Sequence, residues 1–325
     1  MNIIDKVLRR PELLEAPPVL IDVGASSGIH TAWKPVAEYS ICVAFDADDR
    51  GMGGTQRETE TYRELHVYDR ALTSGTEQTA DFYFTSDPPC SSMLPPDTEG
   101  LSTWEFSDRF RVVRKTQVKT IHLHQVLSEL KLSYVDWFKT DSQGTDLRLF
   151  LSLPDSVARR VMVAEFEPGI IDSYQGEDKL WQVMARMDEM GFWMSDLTVK
   201  GSSRIRKDLV GDFSKIEKKY MVHLLKSSPG WAEATYLNSF AKEHFNKRDF
   251  LLGWVLGTLH RQHGYAMELA ASGGKQFGDG IFKELQRASL QAIRRRYFDF
   301  PAYLPLARRA FRRWKRLRMA VSTSS

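Results

Sequence analysis

Three polar residues stand at alternate positions in the segment FKTDSQG, namely Lys139, Asp141 and Gln143. The apolar run that begins at Val135 predicts a strand, and side chains two residues apart on a strand point to the same side. Ligands of parallel α/β sheets bind in the crevice at the carboxyl ends of the strands. We therefore expect an ammonium, a carboxylate and an amide to face a ligand there, and a carboxylate in that position can accept a proton.

A second group of residues forms a glycine turn. The apolar segment 19–23 predicts a buried strand that runs into DVGASSG, which contains Gly24 and Gly28. Glycine lets the backbone turn sharply and approach a ligand closely, and a helix predicted over residues 30–39 would offer free N–H groups at its N-terminus. Ser26 stands where the pattern GxGxxG has its second glycine, which disfavours a nicotinamide-dependent oxidoreductase.

An acid follows the next predicted strand. The segment 41–45 is apolar and is followed by Asp46. A carboxylate about 20 residues beyond a glycine turn can accept hydrogen bonds from both hydroxyls of a ribose. Asp48 and Asp49 compete for this role, because the choice depends on strand register. The order of strand, glycine turn, helix, strand and acid favours a nucleoside-binding site over an ordinary structural turn.

Four segments resemble the FkbM family of S-adenosylmethionine-dependent methyltransferases. They are DVGASSG at 22–28, VAFDAD at 43–48, RAL at 70–72 and FKTDSQGTDLRLFLSL at 138–153. The last is the most specific, because the family commonly ends a strand in K-x-D-x-(E/Q)-G-x-(E/D) before a helix. Those positions are filled here by Lys139, Asp141, Gln143, Gly144 and Asp146. The resemblance covers roughly residues 19–225.

The resemblance implies a Rossmann-like class I methyltransferase domain that uses S-adenosylmethionine. It implies methyl transfer to a hydroxyl of a glycan, a lipid-linked acceptor or a small natural product. The ribose of S-adenosylmethionine would bind Asp46, and its adenine would lie beside Asp69 and Ala71. The methionine part would lie along the glycine turn. The implied cofactor-binding residues are Asp22, Gly24, Ser26, Gly28, His30, Asp46, Asp69 and Ala71. Asp22 could instead cap the turn, and Asp69 could be a solvated loop acid.

The resemblance also points to Asp141, Lys139 and Gln143 as the residues that act on the acceptor. Asp141 would orient or deprotonate the hydroxyl, because an alcohol is a poor nucleophile until its proton begins to leave. Lys139 would pair with Asp141 or bind an acceptor oxygen. In the alternative interpretation, Lys139 and Asp141 form a structural ion pair. Gln143 would donate or accept a hydrogen bond with the cofactor or the acceptor. Glu165 and Glu167 could form a cation site with Asp141, but the sequence does not bring them together, and no metal is predicted.

Apolar runs alternate with helical segments along residues 1–228, which predicts one α/β domain with a doubly wound, mostly parallel sheet. Predicted strands cover residues 19–23, 41–45, 65–72, 135–141, 161–166, 192–197 and 220–225, with one outside the parallel series at 81–85. Predicted helices cover residues 30–39, 120–130, 144–151 and 179–190. The Pro- and Ser-rich segment 86–110 predicts a lid or binding surface whose Trp104 and Phe106 cover the acceptor, or else a surface insertion.

Residues 229–325 predict a helical extension with a basic tail. Ten Lys and Arg residues and a single acid lie in segment 290–318, although the whole chain is only +3. Residues 305–318 fit an amphipathic helix with an apolar stripe. Such a helix suits binding to an anionic membrane surface, and binding to nucleic acid is less favoured. In the alternative interpretation, the helix docks on the acidic body of the protein. A non-catalytic protein that docks through this tail is the competing functional hypothesis.

The composition is that of a globular protein. Of the 325 residues, 42% are hydrophobic and 27% charged, which excludes a wholly disordered, collagen-like or multi-span membrane protein. Cys42 and Cys90 lack the spacing of a disulfide framework or a metal site. No targeting segment is visible, and the apolar run 250–259 is too short to span a bilayer. We expect a cytoplasmic protein, with the tail as a means of peripheral attachment to the inner membrane surface.

Overall fold

The computed structural model describes residues 2–25, 28–47 and 61–298. The chain divides into two units. Asp5–Arg248 forms the larger one, and Met1–Ile4 with Asp249–Ser325 forms the smaller. The boundary predicted between residues 228 and 229 is wrong, because it falls inside a strand, Ser227–Asn238, that belongs to the larger unit.

The elements are named in chain order. The strands are β1 Val19–Val23, β2 Ile41–Asp46, β3 Glu64–Asp69, β4 Ala71–Leu72, β5 Thr79–Thr85, β6 Val112–Ile121, β7 Trp137–Thr140, β8 Val163–Phe166, β9 Phe192–Ser203 and β10 Ser227–Asn238. The helices are α1 Ile3–Leu8, α2 Pro11–Glu15, α3 Thr98–Leu101, α4 Leu123–Glu129, α5 Asp146–Phe150, α6 Asp155–Ala158, α7 Leu180–Met190, α8 Lys207–Val210, α9 Lys215–Leu224, α10 Lys247–Leu259, α11 His263–Phe277 and α12 Ile281–Phe298.

A seven-stranded sheet forms the centre of the larger unit, in the order β3-β2-β1-β7-β8-β10-β9. The first five strands of that order pair in parallel, whereas β10 runs antiparallel to both β8 and β9. The larger unit therefore has the α/β architecture with a mostly parallel central sheet that the sequence predicts, which is compatible with a Rossmann-like fold. The strand order reverses between β1 and β7, and sheets of this kind bind ligands at that point, beyond the carboxyl ends of the strands.

Buried side chains cover both faces of the central strands, which explains their nearly continuous apolar sequence. On one face Val19 and Ile21 belong to a core that includes residues of α4, α5 and α7. On the other face Leu20 and Trp137 are fully buried. The ring of Trp137 lies 5.7 Å from that of Trp33, centroid to centroid. Packing on both sides fixes where each strand ends, and so where the polar residues beyond it lie.

A second, three-stranded sheet has the order β4-β6-β5. Its β5 pairs antiparallel with β6, which confirms the strand predicted at 81–85 outside the parallel series. The single strand predicted over 65–72 is divided between the two sheets as β3 and β4. The helix predicted over 120–130 begins only at Leu123, because Thr120 and Ile121 still pair with β4.

The segment 86–110 contains short helical turns at Pro88–Cys90 and Glu105–Phe110 as well as α3. Trp104 and Phe106 are buried with Phe110 and Tyr174 in a small aromatic cluster. Since apolar burial stabilises the packed state, this segment lies against the body of the larger unit and forms one wall of a cavity described below.

The helix predicted over residues 30–39 is wrong. Two short 3₁₀ turns, Thr31–Trp33 and Ala37–Tyr39, take its place. Pro35 lies between them and lacks the N–H group that would continue a helical ladder. The glycine turn after β1 therefore does not lead directly into an α-helix, and the anion site expected at a helix N-terminus is not formed.

The strand predicted at 220–225 is also wrong, because these residues lie in and just after α9. A capping box between Ser214 and Glu217 starts that helix, and apolar residues recur at every fourth position in Ile216, Tyr220 and Leu224. The closing strand of the sheet is β10 instead, whose side chains alternate in burial along much of its length.

The smaller unit, over its described residues, contains α11, α12 and α10 from Asp249 onwards. Phe250, Phe277 and Phe282 form a chain of ring contacts, and the Trp254 indole N–H donates to Ser289 Oγ at 2.9 Å. The basic segment predicted at 305–318 lies outside the described residues. Within the described part of the chain, no helix combines the length and apolarity that crossing a membrane requires.

Candidate functional site

Gly24 brings the ends of β1 and β7 together. Its φ of +84° lies in the left-handed region, and a β-carbon there would lie 2.3 Å from the carbonyl oxygen of Asp141. The N–H groups of Gly24 and Ala25 donate to the carbonyl oxygen of Phe45 at 2.9 and 3.2 Å. The turn is thus fixed by the neighbouring strand, and these two amides already have acceptors. Gly28 donates its N–H to the Ala25 carbonyl at 3.1 Å.

A first cavity opens beyond the ends of β1, β2 and β7. It is lined by Gly24, Asp46 and Ala71, three of the predicted cofactor-binding residues. Apolar side chains form much of the remaining wall, namely Val23, Phe45, Leu72, Phe82, Pro88, Pro89 and Met93. Its volume is about 170 Å³. Ligand pockets commonly measure roughly 300–1,000 Å³, so a whole cofactor would have to extend through the mouth of this cavity or widen it.

A second cavity, of about 490 Å³, lies on the other side of the β7 end. Its walls include Phe106, Phe110, Tyr174 and Trp231, together with several carboxylates. Asp141, Gln143 and Pro89 line both cavities, so they form the partition between them. Two of the three residues that the sequence analysis assigned to the acceptor therefore contact both spaces.

The Gln143 amide links two acids across this partition. Its nitrogen lies 2.6 Å from Asp141 Oδ1 and 3.3 Å from Glu167 Oε2. The Tyr174 hydroxyl lies 2.9 Å from Gln143 Oε1 and 2.8 Å from the Cys90 carbonyl, so it can donate to either oxygen. A donor facing Oε1 turns the amide so that its NH₂ group points to the carboxyl groups. Tyr174 therefore sets the orientation that Gln143 presents to both acids.

Glu167 shares its surroundings with other acids. Burial, followed by the charge and hydrogen bond of Asp141, raises the pKa of the Glu167 carboxyl to about 9. Asp146 and Glu233 shift it in the same direction. Two carboxyl groups so close together cannot both ionise easily, so the pair retains one proton at neutral pH. From the sequence, Glu167 is expected only as a cation ligand, although an acid just after the next parallel strand is the signal for a place beside Asp141.

Asp146, the last position of the FKTDSQGTD motif, has a structural role. It is fully buried, and its Oδ1 accepts hydrogen bonds from Thr140 Oγ1 at 3.1 Å and from the Ser142 N–H at 2.9 Å. Its Oδ2 accepts the Glu167 N–H at 2.7 Å. Burial raises the pKa of the Asp146 carboxyl to about 6. These bonds tie the loop after β7 to the end of β8, and so hold Asp141 and Glu167 in register.

Lys139 does not pair with Asp141 and lines neither cavity. Its Nζ lies 3.1 Å from Asp22 Oδ1, because the two residues are register partners on β1 and β7. Burial lowers the pKa of the Lys139 amine, but the charges of Asp22 and Asp141 outweigh it, so the net shift is upward and the amine stays protonated. Lys139 is therefore not at the wall of either cavity, where the contact with an acceptor oxygen is predicted. The structural ion pair is present, but its partner is Asp22.

Asp22 and His30 are likewise held away from the first cavity. Asp22 Oδ2 accepts the His30 N–H at 2.9 Å, which is the turn-capping role considered as the alternative. His30 Nε2 lies 3.2 Å from Glu165 Oε2. Burial lowers the pKa of His30, but the bond to Glu165 and the charges of Glu165 and Asp22 raise it more, so the net pKa lies above its usual value. His30 thus faces Glu165 and does not line the first cavity, and its contact with a cofactor carboxylate stays a prediction.

Glu165 faces His30 and also accepts the Trp137 indole N–H at 3.1 Å. It is therefore engaged apart from the Asp141–Glu167 pair. Among residues 2–25, 28–47 and 61–298, no group of three or more His, Cys, Asp or Glu side chains is arranged to hold a metal ion.

Asp69 is exposed at the end of β3 and does not line the first cavity, whereas its neighbours Arg70 and Ala71 do. The solvated-acid alternative therefore describes Asp69 better than an adenine contact. Ser26, Asp48 and Asp49 lie outside the described residues. Arg70 is not singled out from the sequence, although a positive charge directly after the acid that ends a predicted strand is the available signal.

Protein-family models and curated protein sequences gave no match to this chain. The functional assignment therefore depends on the residues of the two cavities and their geometry.

Proposed function

We propose that this protein is an S-adenosylmethionine-dependent O-methyltransferase of the FkbM type, with the cofactor in the first cavity and a hydroxyl-bearing acceptor in the second. The observation that carries the proposal is the partition: Asp141 and Gln143 line both cavities. Ligands bound on the two sides would meet at these residues. Transfer between two bound molecules requires such a meeting point, because holding the reactants together lowers the entropic cost of reaction.

The donor set of the first cavity fits a nucleoside. Asp46 ends β2 and lines the cavity, where its carboxylate would accept the ribose hydroxyls. Phe82 and Leu72 provide apolar wall for the base. Arg70 supplies a positive charge that suits the cofactor carboxylate. When bound, S-adenosylmethionine would supply an electrophilic methyl group that passes to the acceptor oxygen, while the sulfonium sulfur leaves with its electron pair as the thioether of S-adenosylhomocysteine.

The Asp141–Glu167 pair would handle the acceptor proton. Asp141 faces both cavities and would accept a hydrogen bond from the reacting hydroxyl, which orients an oxygen lone pair towards the partition. Glu167, whose pKa lies at about 9, would stay protonated beside Asp141 at neutral pH, which leaves Asp141 to accept the hydrogen bond of the hydroxyl. Gln143, held by Tyr174, would keep the pair in place without adding charge.

Calorimetric titration with S-adenosylmethionine and S-adenosylhomocysteine tests the proposal. We expect micromolar binding that Asp46→Ala weakens at least about ten-fold, since a ribose hydrogen-bond acceptor is lost. Asp69→Ala is the matched control, because this acid is exposed and lies outside the first cavity. Asp141→Asn should leave cofactor affinity within about three-fold and lower turnover. Absence of binding by the folded wild-type protein, or equal loss in Asp46→Ala and Asp69→Ala, would reject the cofactor site.

A further inference from the structure

The second cavity is rich in negative charge. Five of its lining residues are acids, Asp87, Glu105, Asp141, Glu167 and Glu177, and Arg109 is the basic residue among those described. Arg109 lies 3.8 Å from Asp87, and Glu177 pairs with Lys179 outside the lining. Within the described part of the chain, no Lys, Arg or His comes within ion-pair distance of the carboxyl groups of Asp141 and Glu167.

The same cavity has an aromatic wall. Phe106 lies 6.3 Å from Trp231 and 5.7 Å from Phe110, and Phe110 lies 5.5 Å from Tyr174, all between ring centroids. Aromatic faces carry partial negative charge and attract organic cations. Five acids and several aromatic rings thus line one space in which Arg109 is the basic residue among those described. Each of these features favours a positively charged organic ligand over a neutral one.

We propose that the second cavity takes a hydroxyl compound that also carries an ammonium group, with the ammonium held by the Asp141–Glu167 pair against the aromatic wall. That this compound is a methyl acceptor rests on the proposed function. Recognition of its ammonium group by the second cavity does not. A metal ion is the less suitable cation, because the described residues provide no set of three ligands and because aromatic walls contribute none.

Binding should also move a proton. Glu167 is surrounded by Asp141, Asp146 and Glu233, with the neutral Gln143 amide between it and Asp141. These acids keep a proton on the pair in the absence of a cation. An ammonium group placed beside Glu167 compensates their charge, so that proton is released to solvent as the ligand binds. A neutral ligand of the same shape would leave the proton in place.

A matched pair of probes tests the inference without cofactor. They are 2-amino-1-phenylethanol and 1-phenyl-1,2-ethanediol. Both carry a phenyl ring and a hydroxyl group, but the first has an ammonium group where the second has another hydroxyl group. Binding is followed at pH 7.5 by tryptophan fluorescence and by calorimetry in two buffers of different ionisation enthalpy. We expect the amine to bind at least about ten-fold more tightly and to release close to one proton. Glu167→Gln should abolish the proton release and weaken the preference for the amine, because the Asp141 carboxyl group remains.

Glu15→Gln is the control variant, because it makes the same change at an exposed residue of α2. Equal affinities for the two probes, no binding of either, or an undiminished amine preference or proton release in Glu167→Gln would each overturn the inference. The wild-type comparison needs no variant, so it decides the question even if Glu167→Gln folds poorly. Cofactor titration is a separate measurement, so failure of the proposed cofactor site does not entail failure of the inferred ammonium site, and the reverse also holds.

Discussion

A β-carbon on Gly24 would lie 2.3 Å from the carbonyl oxygen of Asp141. Gly24 follows β1 and Asp141 follows β7, so this approach joins the two strand ends where the sheet order reverses. Gly24 also has a φ of +84°, which non-glycine residues rarely adopt. One residue thus sets both the path of the turn and the position of the acid that separates the two cavities.

Gly24→Ala should destabilise the larger unit and displace Asp141. The left-handed backbone conformation alone costs about 1–3 kcal/mol for a non-glycine residue, and the backbone contact adds to that cost. Gly211→Ala is the control, because that glycine has no positive φ and its nearest neighbour, Asp208 O, lies at an ordinary 3.4 Å from the added atom. Urea unfolding measures both variants. A Gly24→Ala protein as stable as Gly211→Ala would show that the turn is not constrained in this way.

Tyr174→Phe should lower turnover without weakening cofactor binding. The hydroxyl holds Gln143 Oε1, so its loss frees the amide to turn away from Asp141 and Glu167. We expect a fall in kcat of about ten-fold, in line with the loss of one buried hydrogen bond. Steady-state kinetics and cofactor titration separate the two effects.

Tyr236→Phe provides the control for that change. The Tyr236 hydroxyl is buried and has no hydrogen-bond partner among the described residues, so removing it should leave kcat unchanged. A similar loss of turnover in both variants would assign the effect of Tyr174 to general packing and not to the orientation of Gln143.

The free energy of unfolding should fall as the pH rises, because Glu167 loses its proton in the folded state. Its folded pKa, about 9, lies above the value of about 4.5 that it has when unfolded. The folded state therefore holds a proton that the unfolded state releases, and the resulting stabilisation is complete below about pH 4.5 and is lost as pH approaches 9. The Glu167→Gln variant, which mimics the protonated form, should lose less stability between pH 6 and pH 9 than the wild type does.

Urea unfolding at several pH values checks this expectation. His30 contributes a change of the same sign, because its pKa is also raised on folding and its stabilisation is lost as pH rises through the folded value. That contribution is common to wild type and Glu167→Gln, so it cancels in the comparison. Parallel pH curves for the two proteins would contradict a shared proton at Glu167.

The parallel strands could be predicted from the sequence because they are apolar on both faces and end in polar residues. Asp46 and Asp141 therefore lie at strand ends as predicted. The pairing of Lys139 could not be predicted, since it depends on the register between β1 and β7, which places Asp22 opposite it. Strand spacing within one segment says which side a residue faces but not which neighbouring strand supplies its partner.

Longer-range packing explains the other differences. Tyr174 lies far along the chain from Gln143 and reaches it only because the loop after β8 folds back over the β7 end. Glu167 follows a strand as Asp141 does, but its raised pKa arises from burial beside three acids from separate segments. The strand predicted at 220–225 differs from the helix α9 because only part of that helix falls in the predicted segment, and its apolar residues Ile216, Tyr220 and Leu224 are exposed.

Arg248 and Asp136 form a buried ion pair at the opposite ends of β1 and β7 from the cavities. Arg248 Nη1 and Nη2 each lie 2.7 Å from an Asp136 oxygen, and Arg248 also donates to the carbonyls of Ala16 and Pro17. Asp136 Oδ2 accepts the Val19 N–H at 2.9 Å. The pair therefore joins the chain before β1 to the start of β7.

Arg248→Met should cost about 3–5 kcal/mol of unfolding free energy, because it leaves the Asp136 charge buried without its partner. Arg248→Lys should cost less, since the charge remains although the two-pronged contact is lost. Cofactor affinity should be unchanged in the folded fraction of both variants, because the pair lies at the far ends of the strands from both cavities. Guanidinium unfolding and cofactor titration test these two statements separately. Loss of affinity that parallels loss of stability would mean that the far ends of β1 and β7 are coupled to the partition between the cavities.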